Sequence, residues 1–162
     1  MSSNKKTREE MIELFGDKCW IDKLDLRARS LTGEYTGRSV RKAKEEQKLV
    51  YHHIIMKKDG GKSTISNGAL MSEDNHEWFH RQKQWRQDIM NEYLQQYKIN
   101  CILANFDDDM AIHVTKAQID FAELDEENYF ILEYDQELDE LDKEIFKKAK
   151  EKRDTLKEWE ER

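Results

Sequence analysis

The segment Leu49-Val-Tyr-His-His-Ile-Ile-Met56 is rich in β-branched and aromatic residues and runs into Asp59-Gly60-Gly61, so it reads as a strand entering a turn. Within it His52 and His53 are adjacent, and neighbouring strand residues point to opposite faces. The two imidazoles therefore cannot share one ligand shell as a side-by-side pair, and a division of labour follows. Downstream, Ser72 followed by Glu73 and Asp74 has the pattern of an N-cap and an acidic first turn, opening a helix through His76 and His80. His76 and His80 are four positions apart, so they project from one helical face and can bite one metal ion. The chain is thereby constrained to a strand, a Gly-containing loop and a helix that close on a common point, and four of its five histidines fall in that array. The fifth, His113, stands alone in Ala111-Ile-His-Val-Thr115 and reads as an ordinary surface or core residue.

The strand, the Gly-Gly loop, the central Asn67 and the helical histidines together resemble the ββα-metal, or HNH, nuclease motif. The His52-His53 pair with a terminal His76-x-x-x-His80 is similar to the colicin DNase branch of that family. The resemblance covers residues 49–81, with 14 positions from His53 to Asn67, nine from Asn67 to His76 and four from His76 to His80. It implies an α+β, helix-rich chain with a ββα-metal core and flanking helices. It implies that His52, His76 and His80 coordinate one divalent metal ion, that His53 activates water, and that Asn67 orients the His53 region through its side-chain amide. The implied reaction is hydrolysis of DNA phosphodiester bonds, with the metal at the scissile phosphate and the leaving 3′ oxygen, giving 5′ phosphate and 3′ hydroxyl ends. Compact proteins of this kind are familiar from phages and mobile elements. One such site cuts one strand at a time, so a double-strand break needs a homodimer or a second encounter.

The sequence does not name the ion, and Mg, Mn, Ni and Zn all stay open. An all-imidazole shell suits Zn, Ni, Co or Mn by ligand softness, whereas HNH enzymes commonly use Mg, and many of them carry Asp where this chain has His52. Asn67 followed by Gly68 is also an ordinary turn signal, which accounts for that Asn without any chemistry. Many HNH proteins place the motif on a zinc knuckle of paired Cys-x-x-Cys units. Cys19-Trp20-Ile21-Asp22 is similar to a remnant of one, with Asp22 in the place of the second thiol and no second pair following. No structural zinc is expected, and Cys19 reads as a buried thiol. The two cysteines, Cys19 and Cys101, are far apart and do not make a disulfide framework.

Charge is uneven along the chain. Residues 1–100 hold 19 Lys and Arg against 15 Asp and Glu, a balance of +4, while residues 101–162 hold 9 against 20, a balance of −11 within the overall −7. That acidity argues against a generic polyanion binder, yet Lys57, Lys58 and Lys62 surround the motif loop, and Arg38 and Arg41 precede it. These five are the candidate contacts to a DNA backbone, where cationic side chains replace condensed counterions. A solvated helix face accounts equally well for Arg41 to Lys48, since Glu45 and Glu46 interleave there. The acidic region suits a protein partner, and it supports a second reading of the chain. In that reading the protein is a non-catalytic, metal-stabilised interaction or DNA-mimic module that docks onto a larger complex.

The chain is expected to divide into a nuclease domain over residues 1–100 and an acidic α/β extension over residues 101–162, packed on the same body. Thr7-Arg8-Glu9-Glu10 fits a capping box and Gly16 a stop, giving a short amino-terminal helix that covers the core. The segment 32–37 has turn composition. The helix through His80 is expected to continue along a stripe of Trp85, Ile89, Tyr93 and Tyr97, read as core in preference to base stacking. Residues 101–106 and 128–134 are expected as short strands flanking an acidic turn at Asp107-Asp108-Asp109, and a final amphipathic helix runs from about Leu138 to Trp159. No apolar run is long enough to span a membrane, and the amino terminus lacks the apolar segment of a secretion signal, so a cytoplasmic protein is expected.

Overall fold

The computed structural model describes residues 2–29, 48–124 and 138–160. Arg38 and Arg41, the turn-rich segment 32–37 and the expected strand at 128–134 lie outside the described residues. Among the described residues the chain is helix-rich with one two-stranded antiparallel sheet, an α+β arrangement. No described helix is long and apolar enough to cross a membrane.

Strand β1, Leu49–His53, pairs with β2, Gly68–Ser72, in the register Val50 to Met71, His52 to Ala69 and His53 to Gly68. β1 is shorter than the apolar run foretells. The chain bends away at Ile54 and Ile55, because Ile54 N donates to Asn67 O (2.8 Å) and Ile55 N donates to the Asn67 side chain (2.7 Å). β2 has every residue buried, and helix α3, Glu73–Arg81, follows it directly. Ser72 caps α3 as its sequence foretells, its hydroxyl accepting from Asn75 N at 3.2 Å.

Helix α1, Ser2–Phe15, lies on both strands. It begins five residues before Thr7. The Thr7-x-x-Glu10 pattern is therefore not a cap, and the Thr7 hydroxyl instead donates to Ser63 O (3.2 Å). Gly16 does end α1, at φ 90°, with its N–H on Ile12 O. A short helix α2, Trp20–Lys23, follows, and its Cys19 cap is buried. The Asn75 side-chain nitrogen donates to Cys19 Sγ (3.1 Å) and Asp22 Oδ1 (3.0 Å), so the Cys-x-x-Asp pair is engaged by an amide from α3.

Three expectations for the second half need correction. α3 does not run on into the Trp85 stripe, since Gln82 and Lys83 are extended and helix α4 starts afresh at Gln84–Leu103. On that stripe Tyr93 and Tyr97 are core while Trp85 is exposed. Residues 101–106 are not a strand, because Cys101 prolongs the buried stripe of α4. The helix closes with Asn105 N on Ile102 O and Phe106 N on Cys101 O, Asn105 taking the left-handed φ of 52° that such a stop requires. The Asp107-Asp108-Asp109 run is no free turn, since Asp107 caps helix α5, Asp108–Leu124, by accepting from Met110 N. Asp108 also pairs with the buried Lys23 (3.0 Å) and accepts from Tyr97. The described part of the expected α/β extension is thus all helix.

Helix α6, Leu138–Glu160, is the expected amphipathic element, burying Leu141, Ile145 and Ala149 in the same apolar core that holds Met11, Trp20, Leu70 and Phe79. Within the loop between the strands, a β-carbon added at Gly61 would stand 1.8 Å from Ile55 O and 2.9 Å from Asn67 Nδ2. Gly61→Ala is therefore expected to lower stability by about 1–3 kcal/mol, the usual cost of overpacking a fixed site. Urea denaturation checks it, and an unchanged midpoint would mean that the loop yields freely.

Candidate functional site

The ribbon and α3 bring three imidazoles to one place. His52 points from β1 towards α3, its ring 4.6 Å from the Phe79 ring and 5.5 Å from those of His76 and His80. His76 and His80, one turn apart, place their Nε2 atoms 3.0 Å from each other. One ligand atom from each of His52, His76 and His80 lies within 4.8 Å of the other two. Imidazoles on a tetrahedral ion at ~2.0–2.1 Å stand about 3.3 Å apart, so small ring rotations would let this set close on one ion. The cluster could hold a metal ion.

The orientation of His52 favours that use. Asn91 of α4 donates through Nδ2 to Ile54 O (3.4 Å), which turns its Oδ1 towards His52 Nε2 at 2.8 Å. The Nε2 atom must then carry the proton, leaving Nδ1 with a bare lone pair, and Nδ1 is buried with no hydrogen-bond partner among the described residues. An imidazole whose second nitrogen is held by a side-chain oxygen is the usual arrangement around a metal ligand. Asn91 was not singled out in the sequence: it lies 39 positions from His52 on a helix whose only visible pattern is its apolar stripe.

All four clustered histidines are held below the ordinary imidazole range. Burial holds His52 down to about 3, helped by the charges of its histidine neighbours, and holds His76 down to about 4, helped by His80 and His53. Burial also lowers His53, with Lys57 adding to the effect, and burial lowers His80 against a hydrogen bond with Gln87. The rings are accordingly neutral near pH 7, the state in which an imidazole ligates a metal or accepts a proton.

His53 occupies the other side of β1, as the alternation of strand side chains requires. It packs against the Tyr51 ring and its Nε2 lies 3.0 Å from Ser63 Oγ. Ser63, another residue that the sequence did not flag, sits in the loop beside Lys62. Asn67 is 1 % exposed and is spent on the backbone of that loop. Its Nδ2 donates to Ile55 O (3.0 Å) and Lys62 O (2.9 Å) while its Oδ1 accepts from Ile55 N. Asn67 lies within the tight turn that Gly68 N closes on Ile65 O, and its side chain holds the chain that leaves His53. Lys57, Lys58 and Lys62 are exposed on this loop. His113 is exposed on α5 and takes no part in the cluster.

Comparison with protein-family models, with curated proteins and with solved structures returned no match. The cluster must be judged on its own chemistry.

Two outcomes are expected of the isolated protein. Zn or Ni should raise its melting temperature and His76→Ala should remove most of that shift, because ligation stabilises only the folded state. An equal shift in wild type and variant would place the metal elsewhere. Without metal, the folded values of His52 and His76 lie below the ~6.5 of an unfolded histidine, so the unfolded chain takes up protons first as pH falls. The stability these groups contribute is full above about pH 6.5 and is lost on acidification, at up to ~1.4 kcal/mol per pH unit for His52 alone. Urea midpoints at pH 7, 6 and 5 should fall for wild type and fall less for His52→Asn, and parallel lines would refute the assignment.

Proposed function

We propose that this protein is a metal-dependent endonuclease of the HNH, ββα-metal kind, hydrolysing DNA phosphodiester bonds. The observation that carries the reading is the convergence of His52, His76 and His80 from a strand and the following helix, with the neutral His53 on the same strand beside a lysine-bearing loop. Strand, strand and helix also occur in the order that the motif requires.

In this reading His52, His76 and His80 would hold a divalent ion, which would supply positive charge to offset the negative charge developing on the phosphate and the leaving oxygen. His53 is the general base. Its Nε2 stands 3.0 Å from Ser63 Oγ, and in the tautomer that donates to this hydroxyl Nδ1 would keep the lone pair that accepts a proton from water. The water oxygen bonds to phosphorus as the P–O3′ bond breaks, and the departing 3′ oxygen takes a proton from solvent, leaving a 5′ phosphate and a 3′ hydroxyl. Burial and the Lys57 charge keep the base unprotonated near neutral pH. Asn67 fixes the chain on the far side of His53, and Lys57, Lys58 and Lys62 meet the phosphate backbone. Arg38 and Arg41 join them on their place in the sequence alone. A set of three imidazoles favours Zn, Ni or Mn over Mg by softness.

The −11 balance of residues 101–162 favours a second reading, a metal-stabilised module that binds a basic partner through its acidic region or docks the protein onto a larger complex. Cleavage of supercoiled plasmid in EDTA, Mg, Mn, Ni or Zn separates the two. Wild type is expected to nick and then linearise the plasmid only with metal, and His53→Ala at matched metal occupancy to lose about 10²–10⁴-fold in rate. A folded, metal-loaded wild type that leaves the plasmid intact would favour the second reading.

A further inference from the structure

The most heavily buried cation in the described chain is not at the histidine cluster. Lys98 of α4 is 0 % exposed, and nothing in the proposed chemistry uses it. An ammonium in a core is costly, and a Met or Leu would fill such a helical position at less cost. Its hydrogen bonds show what the lysine achieves. Nζ donates to Ser66 O at 2.6 Å and to Gln95 Oε1 at 3.1 Å. The N–H of the same Ser66 donates to Asp142 Oδ1 of α6 at 2.9 Å. Both backbone groups of one buried residue are therefore gripped by side chains from two helices outside the strand–loop–helix unit. Burial pushes Lys98 down to about 7 and Asp142 opposes that fall, but Nζ donates in either protonation state.

Ser66 immediately precedes Asn67, and the grip is passed along the chain. The Asn67 N–H lies on Thr64 Oγ1 (3.3 Å), which is itself 3.1 Å from Ser66 Oγ, and Tyr51 donates to Thr64 O (2.6 Å). Asn67 then spans Ile55 and Lys62, the two ends of the loop that carries Lys57 and Lys58, while Ser63 beside it meets His53. We propose that Lys98 and Asp142 are positioning residues for this site. They hold the Ser66–Asn67 turn from α4 and α6, and through it they fix the loop that faces His53. The carboxy-terminal helix is on this view a working part of the site. This role rests on the nuclease reading above.

The test uses the full chain and three variants. Asp142→Ala removes the acceptor for Ser66 N, Asp142→Asn keeps an oxygen there without the charge, and Lys98→Met keeps the volume without the donor. Each is measured well below its own melting transition, by hydrogen exchange, metal titration and plasmid cleavage. In Asp142→Ala the amides of Ile54 and Ile55, which depend on Asn67, should exchange about tenfold faster while those of Val50 and Met71 in the ribbon stay as in wild type. Metal affinity should be unchanged, since no ligand lies on the loop, and kcat should fall about 10–100-fold, with Asp142→Asn recovering most of it. Lys98→Met should reproduce the pattern if it folds, and the Asp142 pair decides the matter if it does not. Unaltered exchange at Ile54 and Ile55, or faster exchange with unaltered kcat, would overturn the positioning role while leaving an active nuclease. An inactive wild type would overturn the nuclease reading and this role with it.

Discussion

Pairing of His52 with Ala69 and of His53 with Gly68 decides which imidazole meets α3 and which meets the loop. A slip of one residue would exchange the two rings, because side chains alternate along a strand. A ribbon of two five-residue strands has little intrinsic hold on its own register. Here the register is held from outside. A β-carbon at Gly68 would come within 2.4 Å of the Tyr51 ring, so the partner of His53 must be the residue without a side chain. Asn67 closes the ribbon's open end by accepting Ile54 N on its own carbonyl and both binding and being bound by Ile55. The placement of His52 and His53 follows from these few contacts.

What could be read from the sequence is what depends on local spacing. The strand at His52 and His53, the Ser72 cap, the shared face of His76 and His80 and the Gly16 stop each need only a few neighbouring residues, and each is found in the structure. The same local logic misled at Thr7, where a valid capping pattern lies inside a helix with no breaker before it. It also misled at 101–106, where a short apolar run carries no periodicity and the buried stripe from Tyr97 to Cys101 decides for helix. Asn91, Ser63, Lys98 and Asp142 were invisible for another reason. Their partners lie 10 to 76 positions away, and an isolated Asn, Ser, Lys or Asp reads as surface.

The acidic balance of the last third is distributed in a way that composition conceals. Along α6, Asp142 and Glu144 fall in the first turns, whereas Lys147, Lys148, Lys150 and Lys152 follow. The helix therefore directs a carboxylate at the Ser66 turn and sends lysines farther along. Its apolar face completes the core through Leu141, Ile145 and Ala149, while Phe146 and Trp159 stay exposed. A negative region that only repelled DNA would have no reason to place one carboxylate on a buried backbone amide beside the motif loop. Asp142 gives the helix a structural bearing on the site that its net charge does not suggest.

Two kinds of cost are built into the fold, and they sit apart. In the cluster, three mostly neutral imidazoles converge and one buried nitrogen has no hydrogen-bond partner among the described residues, a local cost. In the core behind it, a wholly buried lysine is satisfied by two oxygens and stands near the Trp20 ring, so its cost is largely offset wherever Ser66 keeps its place. The first cost is relieved by any group that takes up the lone pair, a hydrogen-bond donor or a metal ion, and the second by the correct fold of the turn. On the proposals above, a metal ion entering the cluster would gain from preorganised, deprotonated donors without having to shape the loop, which Lys98 and Asp142 hold through the Ser66 turn. Binding at the imidazoles and placement of the loop are in this way separable properties of one small ribbon, joined by the two residues, His52 and His53, that share its first strand.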